Sequence, residues 1–377
     1  MLTTTTTVRL LPGGVRAVER AADLPGEGWD ALAGPYDIFL TRRWLDVVEA
    51  TAGVPMTYLW TERAGRLVAG LATATATTSV PWALGRPDVV LPNSAEAALP
   101  GAAELLAALG DDPSRALMPA LVAGGRHVGS TRVLRSPDAT TEDVEALVAA
   151  AEALAREAGL ASVCFLYLDE GDADLAGTLD RRGYLSCTTG RYSTLRVPRD
   201  GFDGYLASLP RKRRGSVAAE RRRMRESQAR VGIESLDTAD LARCAELESS
   251  LLAKYGIDIR PDQVLAQIRQ VRDCFGDDAF AVVAHAEGEV RGFGLILRHG
   301  DHWYARQTGY DYAYQERSGL PLYFELLYYR LLEEAAAAGV TTLHYGLGSE
   351  QAKRSRGCTA TEQRCHLLPL APKDPVT

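Results

Sequence analysis

The chemically most informative part of the sequence is a short run near its C-terminal end. Residues 341–346 read as a strand that ends in Tyr345-Gly346, and Gly348 and Lys353 follow in a polar segment. Glycine has no Cβ, so a substrate can approach the backbone closely at Gly346 and Gly348. A lysine beside them can hold a substrate carboxylate or stabilise a developing oxyanion. These residue types at this spacing suit a site that binds a carboxylate or stabilises an oxyanion.

Tyr345 and its neighbour His344 point to opposite sides of this strand, because successive strand side chains alternate. We expect Tyr345 to face the cleft, where its hydroxyl can donate a proton to a leaving group. The alternatives are structural: Tyr345 as a core aromatic residue, and Lys353 as a solvated surface lysine.

A site that transfers protons also needs a base. Asp311 and Glu325 are the nearest carboxylates in the sequence, and either could accept the proton directly or through water. Both could instead be structural partners, with Glu325 orienting Arg306 or Lys353. No Ser/His/Asp or Cys/His arrangement has a recognisable catalytic spacing, which favours direct attack over a covalent acyl-enzyme.

A second feature, just before a long helical pattern, suits a phosphate or carboxylate. Ser318 or Gly319 stands at the expected helix start, Pro321 lies just inside it, and Arg317 stands beside it. The first turn of a helix offers unpaired backbone N–H groups and the positive end of the helix dipole. The alternative is an ordinary capped helix.

A basic helix forms the third feature. Residues 201–230 contain nine cations against three carboxylates, a local net charge of +6 in a chain of −7. Arginines on one helical face, such as Arg214, Arg221 and Arg225, can hold the phosphates of RNA or of coenzyme A, whereas Val217 and Met224 can reach the core. The alternative is a solvated basic face, and no interleaved aromatic residue indicates base stacking. The cations assigned to donor binding are Arg211, Arg213, Arg214, Arg221, Arg222 and Arg225.

Regular elements must position these residues. Residues 279–310 read as three antiparallel strands with turns at Glu287-Gly288-Glu289 and Gly300-Asp301. A long helix from about Leu320 to Ala338 and the strand of residues 341–346 follow.

The first half of the chain repeats this order. A hairpin precedes a long helix that starts after Thr140 or Thr141, stops at Ala158-Gly159 and leads into a strand. The proline-containing residues 75–100 read as loop. The segments LAREAGLASVCFLYL and LEEAAAAGVTTLHYG indicate a tandem duplication, although an alanine-rich helix followed by a strand is common in α/β folds. We predict an α/β (α+β) fold with two lobes, residues 1–197 and 198–377, each a mixed, mainly antiparallel sheet flanked by helices.

Bulk composition excludes several classes of protein. Hydrophobic residues make up 46% and charged residues 24%, which are globular proportions. No apolar run approaches the roughly 20 residues of a membrane span, and the N-terminus lacks a secretory pattern. The six cysteines form no CxxC pair and the six histidines lack metal-ligand spacing. We expect a cytoplasmic protein without a metal site, a membrane span or a DNA partner.

The segment LYFELLYYRLLEEAAAAGVTTLHYGLGSEQAKRSRGC resembles the tandem branch of the GNAT acetyltransferase superfamily, the Fem-type peptidyltransferases and BioF-like acetyltransferases. Tyr345, Gly346, Gly348, Lys353 and Gly357 carry this resemblance. It implies two GNAT-like lobes, a catalytic second lobe, a degenerate first lobe and acyl transfer to an amine. The loop QERSGLP departs from the superfamily's usual R-x-x-G-x-G/A. The substrate-binding residues expected alongside Gly346 and Gly348 are Lys254, Tyr255, Arg306 and Tyr323, the first two at a place where the family often contacts substrate.

Three functions remain open at this point. The first is transfer of an aminoacyl group from aminoacyl-tRNA to a small-molecule amine, with no tightly bound cofactor. The second is an acyl-CoA-dependent N-acyltransferase, in which Arg317 and the amides of residues 318–321 hold a pyrophosphate. The third is a non-catalytic RNA-binding protein on an acetyltransferase scaffold. The sequence leaves open the acyl group, the acceptor (a cell-wall precursor or a secondary-metabolite amine) and the oligomeric state.

Overall fold

The computed structural model describes residues 8–34, 37–79, 83–110, 112–125 and 131–370. These residues form two compact units. The first contains the described residues up to Tyr192 and those from Thr361 on, and the second spans Ser193–Ala360. Each unit is a mixed sheet flanked by helices, so the fold class that the sequence predicts is confirmed.

The boundaries of these units differ from the predicted lobes at the C-terminal end. Residues 361–370 group with the first unit, although the prediction places them in the second lobe. That residues 1–197 and 198–377 are separate lobes stays a prediction.

The sheet of the first unit is antiparallel except for one parallel pair. Its order is β1-β2-β3-β4-β5-β7-β14, and β6 pairs with β4. In the parallel pair, Ala120–Val122 lie beside Ser162–Cys164. The strands are β1 (Arg9–Leu10), β2 (Arg16–Val18), β3 (Met56–Arg63), β4 (Arg66–Ala76), β5 (Ala120–Ala123), β6 (Leu134–Arg135), β7 (Ser162–Asp169), the first part of β8 (Leu185–Arg196) and most of β14 (Thr359–Pro369).

One long helix covers this sheet, and its sequence pattern explains why. Val144, Leu147, Val148 and Ala151 recur at helical spacing and are buried against the strands. The helices of the first unit are α1 (Gly26–Ala33), α2 (Arg42–Ala52), α3 (Pro87–Glu96), α4 (Ala102–Ala108), α5 (Pro113–Leu117), α6 (Thr141–Glu157) and α7 (Ala173–Arg181).

The prediction that residues 75–100 form a loop is wrong for α3. Pro87 occupies the first helical position, where a backbone N–H would make no hydrogen bond within the helix, so its absence costs little. Pro92 lies inside the same helix, which is why a pattern rich in proline reads as loop.

The sheet of the second unit follows the same plan. Its order is β13-β12-β11-β10-β9; β12 and β13 are parallel, and the other pairs are antiparallel. Residues 193–196 of β8 pair antiparallel with β13. The strands are β9 (Arg230–Ser235), β10 (Ala279–Ala286), β11 (Glu289–His299), β12 (His302–Tyr310) and β13 (Thr342–Gly346).

The three antiparallel strands predicted for residues 279–310 are therefore confirmed as β10, β11 and β12. The turn between the first two carries positive φ angles at Glu287 and Gly288. The helices of the second unit are α8 (Gly201–Ser208), α9 (Arg211–Glu226), α10 (Leu241–Lys254), α11 (Pro261–Phe275), α12 (Tyr312–Ser318), α13 (Leu322–Phe324), α14 (Leu331–Ala337) and α15 (Glu350–Arg354).

Helices α13 and α14 are the two ends of one continuous helical segment, residues 322–337. Between them, Glu325–Arg330 form a π-helical turn. Among the described residues, none of the helices is both long enough and apolar enough to cross a membrane.

Candidate active site

The candidate active site lies where two parallel strands of the second unit separate. Strands β12 and β13 pair over a short stretch, in which His302 lies beside Thr342 and Tyr304 lies beside His344. Strand β12 then continues to Tyr310 without β13 as a neighbour. A β-bulge inserts Arg306 as an extra residue opposite β11, which bends β12 at this point. The two strands therefore separate next to helical segment 322–337, to which Tyr345 of β13 is hydrogen-bonded.

Aromatic side chains fill the interior of this divergence. The Tyr328 and Tyr345 rings stack with centroids 4.5 Å apart. Tyr323 lies 5.6 Å from Tyr328 and 5.9 Å from Tyr310, measured between ring centroids. Tyr323, a predicted substrate-binding residue, is only partly buried and is thus the outermost of the four.

The Tyr345 side chain faces segment 322–337, whereas His344 on the other face hydrogen-bonds to His302. The Tyr345 hydroxyl donates to the Leu327 carbonyl at 2.6 Å, inside the π-helical turn. A π turn interrupts the regular α-helical ladder, and a side-chain donor can bind a carbonyl there. Burial raises the pKa of Tyr345 well above its ordinary value. The structure thus gives the Tyr345 hydroxyl a backbone partner at the position where the sequence predicts a proton donor.

Lys353 is buried and holds the turn that follows β13. Its ammonium donates to the carbonyls of Tyr345, Gly346 and Leu347 at 2.7–2.8 Å. All three N–H donors are therefore bound to backbone. Gly346 and Gly348 adopt φ angles of +63° and +74°, a region that favours glycine. Burial lowers the pKa of Lys353 to about 8.

The two predicted bases lie in contrasting environments. Asp311 caps α12 by accepting from the Tyr314 N–H, and it pairs with Arg291 at 2.8 Å and Arg243 at 3.2 Å. Burial raises the pKa of this carboxyl, but the bonds from Tyr314 and Arg291 outweigh burial and the net pKa is lowered. Asp311 is thus held in its ionised form.

Glu325 lies in the first turns of segment 322–337 and is 6% exposed. Burial raises its pKa to about 7, against the opposing charge of Arg221, whose Nε lies 3.6 Å from Oε2. Among the described residues, Oε2 of Glu325 has no hydrogen-bond partner. The expectation that Glu325 orients Arg306 or Lys353 is wrong, since its cation is Arg221.

Arg306 lies on the opposite face of β12, in a buried polar cluster. Burial lowers its pKa, and the carboxyl facing it is that of Glu248 on α10. Gln307 donates to Glu248 at 2.8 Å and to Gln267 at 3.1 Å. The bulge turns Arg306 and Gln307 to the same face, so Arg306 is built into the packing of α10 on β12.

Lys254 and Tyr255, at the end of α10, lie at the rim of the second unit. The Lys254 ammonium stands 3.8 Å over the Tyr312 ring. Tyr255 is 69% exposed. Burial is the main cause of the raised pKa values of Tyr312 and Tyr323, and the charge of Tyr255 contributes to both.

The loop before segment 322–337 differs from the prediction at Ser318 and Gly319, and at Pro321, which is the N-cap rather than the first helical residue. Ser318 ends α12 and Gly319 is its C-cap with φ of +63°, so neither residue begins the next helix. Pro321 precedes Leu322, and in the described chain no side chain caps this helix start. Arg317 is exposed and pairs with Glu287.

Basic helix α9 lies beside this loop. Arg223 donates to the Gly319 carbonyl at 3.2 Å, which joins two features that the sequence could only place 96 residues apart. Val217 and Met224 are buried, as predicted. The cations of α9 that are exposed are Arg211, Lys212, Arg214, Arg222, Arg223 and Arg225, and Arg213 is half-buried.

Arg221 does not share this exposed face, contrary to the prediction. It turns inward to Glu333 at 2.9 Å and to Glu325, with its guanidinium over the Phe202 ring. The neighbouring buried carboxyl of Glu325 accounts for this orientation.

An ion pair that the sequence analysis does not predict links α9 to the segment between α15 and β14. Arg356 is 2% exposed and donates through one nitrogen to both oxygens of Glu220 at 2.8 and 2.9 Å. Tyr329 also donates to Glu220, and the Arg356 guanidinium lies 3.5 Å above the Phe324 ring. The sequence signal for this pair is Glu220, a glutamate in the middle of an arginine-rich helix. Arg223 was counted among the cations but not assigned to the site.

The described residues include no group of three or more His, Cys, Asp or Glu side chains that could hold a metal ion.

Comparison with known proteins identifies relatives of the whole arrangement. The sequence model of the FemAB-like family, described as peptidoglycan biosynthesis/recognition, matches residues 127–370. A search of curated proteins finds no match.

Solved structures similar to this chain cover nearly all of it at low identity. The crystal structure of FemX aligns with a TM-score of 0.59 and 11% identity, covering 90% of this chain and 95% of FemX. A tandem GNAT protein from the clavulanic acid biosynthesis pathway aligns with a TM-score of 0.55 and 12% identity, covering 96% and 100% of the two chains. L-PGS from Bacillus licheniformis aligns with a TM-score of 0.53 and 11% identity, covering 90% of each chain. At such identity these likenesses show the fold, a tandem of GNAT-like units.

Proposed function

The chain belongs to the FemAB-like family of peptidoglycan biosynthesis and recognition proteins, and on that premise we propose that it transfers an aminoacyl group from aminoacyl-tRNA to the amine of a small acceptor. It is an acyltransferase. Features of the second unit support this donor and this acceptor.

The observation that carries the proposal is the contact of α9 with the loop before segment 322–337. Arg223 bonds to Gly319, and Arg222 and Arg225 stand exposed on the same helix. The adjacent helix start leaves backbone N–H groups and a positive dipole end for an external anion. Cations spread along four helical turns suit a run of phosphates, whereas the phosphates of coenzyme A need only two or three of them.

The proposed reaction is direct attack. The acceptor amine forms a new N–C bond to the ester carbonyl of the donor, the ester C–O bond breaks, and the ribose hydroxyl leaves with a proton. The ester is already activated, so the protein has to supply proximity, proton transfer and stabilisation of the oxyanion.

We assign the base to Glu325 in preference to Asp311. A general base is most effective when its pKa lies near the working pH, and that of Glu325 is raised to about 7. Asp311 is occupied by the Tyr314 N–H and two arginines, and its pKa is lowered.

Lys353 and Tyr345 enter the proposal through the geometry that they maintain. The three carbonyl bonds of Lys353 fix the conformation of the turn at residues 345–347. The bond from Tyr345 to Leu327 steadies the π turn that carries Glu325. To contact an oxyanion directly, Lys353 has to break one of its three hydrogen bonds to backbone carbonyls and donate that N–H to the substrate.

The experiment is binding of labelled tRNA to the full chain across a salt titration, with coenzyme A as competitor. We expect the logarithm of the tRNA affinity to fall by about 0.7–0.9 for each tenfold rise in salt concentration and for each phosphate contact. We also expect that coenzyme A does not displace the bound tRNA. Absence of tRNA binding at low salt would contradict the proposal. Displacement by coenzyme A would instead support an acyl-CoA donor held by Arg317 and the amides of residues 318–321.

A further inference from the structure

The first unit contains a cavity of about 590 Å³ that the proposed function does not use. It lies at the carboxyl end of β7, beside the loop that carries β6 and the start of α7. Its lining includes Asp169 at the end of β7, residues 131–135 around β6 and residues 172–174 at the start of α7. A volume of this size falls within the range of small-molecule sites.

Charges of both signs line the cavity. Arg132 pairs with Asp37 at 3.4 Å and with Asp169 at 3.2 Å, and Arg135 pairs with Asp172 at 3.0 Å. Asp174 lies at the exposed rim and is not a partner in these three ion pairs. The full charged set is Asp37, Arg132, Arg135, Asp169, Asp172 and Asp174. Four carboxyl groups against two guanidiniums leave an excess of negative charge.

Asp37 is the most deeply buried member of the set, with 5% of its surface exposed. Burial raises its pKa to about 7, against the charge of Arg132. A carboxyl group buried at the wall of a cavity is costly unless something stabilises its ionised form. A second positive charge in the cavity would do so.

An apolar wall completes the cavity. Ala33, Val133 and Leu134 are buried, and Leu32 is half-buried beside them. Such a wall suits the methylene chain of a ligand rather than a fully hydrated ion.

The neighbouring start of α6 disfavours an anionic ligand. Thr140 and Asp143 form a capping box there, and Glu142 adds a further carboxylate in the first turn. A smaller cavity of about 340 Å³ joins this helix start to Arg135 and Asp174. The helix dipole is therefore already compensated by carboxylates of the chain itself.

We propose that this cavity is a binding site for a small basic amino acid, a ligand with a carboxylate, two ammonium groups and an aliphatic chain. The ligand's carboxylate replaces Asp172 as the partner of Arg135. One ammonium group binds Asp174 and the other binds Asp169 or Asp37. The methylene groups pack on Leu32 and Val133. The ligand's net charge of +1 offsets the excess of carboxylates. This inference is independent of the donor proposed for the second unit.

The test is isothermal titration calorimetry of the full chain with four probes: L-lysine, 1,5-diaminopentane, L-norleucine and L-glutamate. We expect L-lysine to bind at least about tenfold more tightly than L-norleucine, which lacks the second ammonium, because a charged hydrogen bond is lost. L-Glutamate, with the opposite side-chain charge, is not expected to bind. 1,5-Diaminopentane tests whether the carboxylate contributes, and it should bind more weakly than L-lysine.

Two variants locate the binding. Asp174→Asn, at the exposed rim, should weaken L-lysine binding roughly tenfold by removing one charged partner, and Leu32→Trp should block the cavity. Glu104→Gln, an exposed carboxylate on α4, is the matched control and should leave binding unchanged. Equal affinity for L-lysine and L-norleucine, no binding of any probe at millimolar concentration, or L-lysine binding unaffected by both variants would each overturn the inference. Because Asp174 is exposed, loss of folding does not confuse its result.

Discussion

The two units build the same geometric feature with opposite charge. In each, a parallel strand pair is linked through a long helix, α6 in the first unit and segment 322–337 in the second. Helix α6 begins with the capping box of Thr140 and Asp143. Segment 322–337 begins after Pro321, with Arg223 bonded to the preceding loop.

The charge at the helix start therefore distinguishes two units whose folds follow the same plan. The positive end of a helix dipole attracts an anion. In the first unit, Glu142 and Asp143 lie at that end. In the second, Arg223 contacts the preceding loop, and the carboxyl of Glu325 in the first turns has a raised pKa, which weakens its negative charge. We infer that the second unit suits a phosphate-bearing donor and that the first unit does not.

The two helices also differ in regularity. Helix α6 is α-helical throughout, whereas segment 322–337 contains the π turn whose Leu327 carbonyl accepts from Tyr345. Such turns often occur at functional sites. Strand β7 carries a comparable tyrosine, Tyr167, whose hydroxyl donates to the Leu84 carbonyl at 2.7 Å. Four predictions test this comparison.

The largest effect is expected from breaking the buried ion pair of the second unit. Arg356→Met leaves Glu220 buried without its cation, which should lower the free energy of unfolding by about 3–5 kcal/mol. In the first unit, Arg182→Met leaves Glu152 with a second arginine, Arg156, and should cost about 1–2 kcal/mol. Equilibrium urea unfolding of both variants measures the difference. Equal losses would show that the Arg356 pair is not specially important.

Charge reversal of α9 tests whether its cations form a site or merely add positive charge. The triple variant Arg222→Glu, Arg223→Glu, Arg225→Glu should bind tRNA at least about a hundredfold more weakly. The slope of log affinity against log salt should fall by the amount that corresponds to about two to three phosphate contacts. The matched control changes three exposed arginines of the first unit, Arg20, Arg66 and Arg115, to Glu. Filter binding at two salt concentrations compares them. A similar loss in both triple variants would mean that only total charge matters.

The carboxylates at the two helix starts should respond to pH with opposite sign. The raised pKa of Glu325 means that the folded chain retains this proton as pH rises from about 4.5 to about 7, while the unfolded chain loses it. The contribution of Glu325 to the free energy of unfolding is therefore fully present below about pH 4.5 and is lost as the pH rises to about 7. Glu325→Gln should remove about 2 kcal/mol of that pH dependence between pH 5 and pH 8.

Asp143 provides the reverse case in the first unit. Burial raises its pKa, but its bonds with Thr140 and the charge of Arg63 outweigh burial and lower it. Its contribution to stability is present above the ordinary aspartate pKa and lost in acid. Asp143→Asn should therefore destabilise the chain at pH 7 and have little effect near pH 3. Thermal unfolding across pH measures both variants, and slopes of the same sign would refute the contrast.

The smallest expected effect concerns the two strand tyrosines. Tyr345→Phe and Tyr167→Phe each remove a hydroxyl that donates to a backbone carbonyl, at a cost of about 1 kcal/mol in stability. If Tyr345 only positions the π turn, the turnover of Tyr345→Phe should fall by less than about tenfold. A loss of about 10²–10⁴-fold for Tyr345→Phe alone would mean that Tyr345 transfers a proton to the leaving group.

Local patterns predicted much of the fold. Helix α6 begins at Thr141 and ends at Glu157, between a capping residue and a glycine stop that are both visible in the sequence. Alternation and turn residues likewise predicted β10, β11 and β12. Burial of Val217 and Met224 followed from helical spacing, because the period of a helix determines which residues share a face.

Other features have no local signal because their partners are distant in the chain. Arg356 and Glu220 are separated by 136 residues, and Arg306 meets Glu248 only because a β-bulge turns it towards α10. The loop assigned to residues 75–100 failed for a different reason, since Pro92 is tolerated within α3.

The sequence by itself determined the class of elements, the basic character of α9 and the candidate residues around Gly346, because spacing, glycine placement and charge are local properties. Only the tertiary structure decided what each candidate does. Lys353 binds three carbonyls, Asp311 is held by two arginines, and Glu325 is left with a raised pKa. The physical reason is that burial and the nearest partner set the chemistry of an ionisable group, and both arise from contacts between segments far apart in the chain.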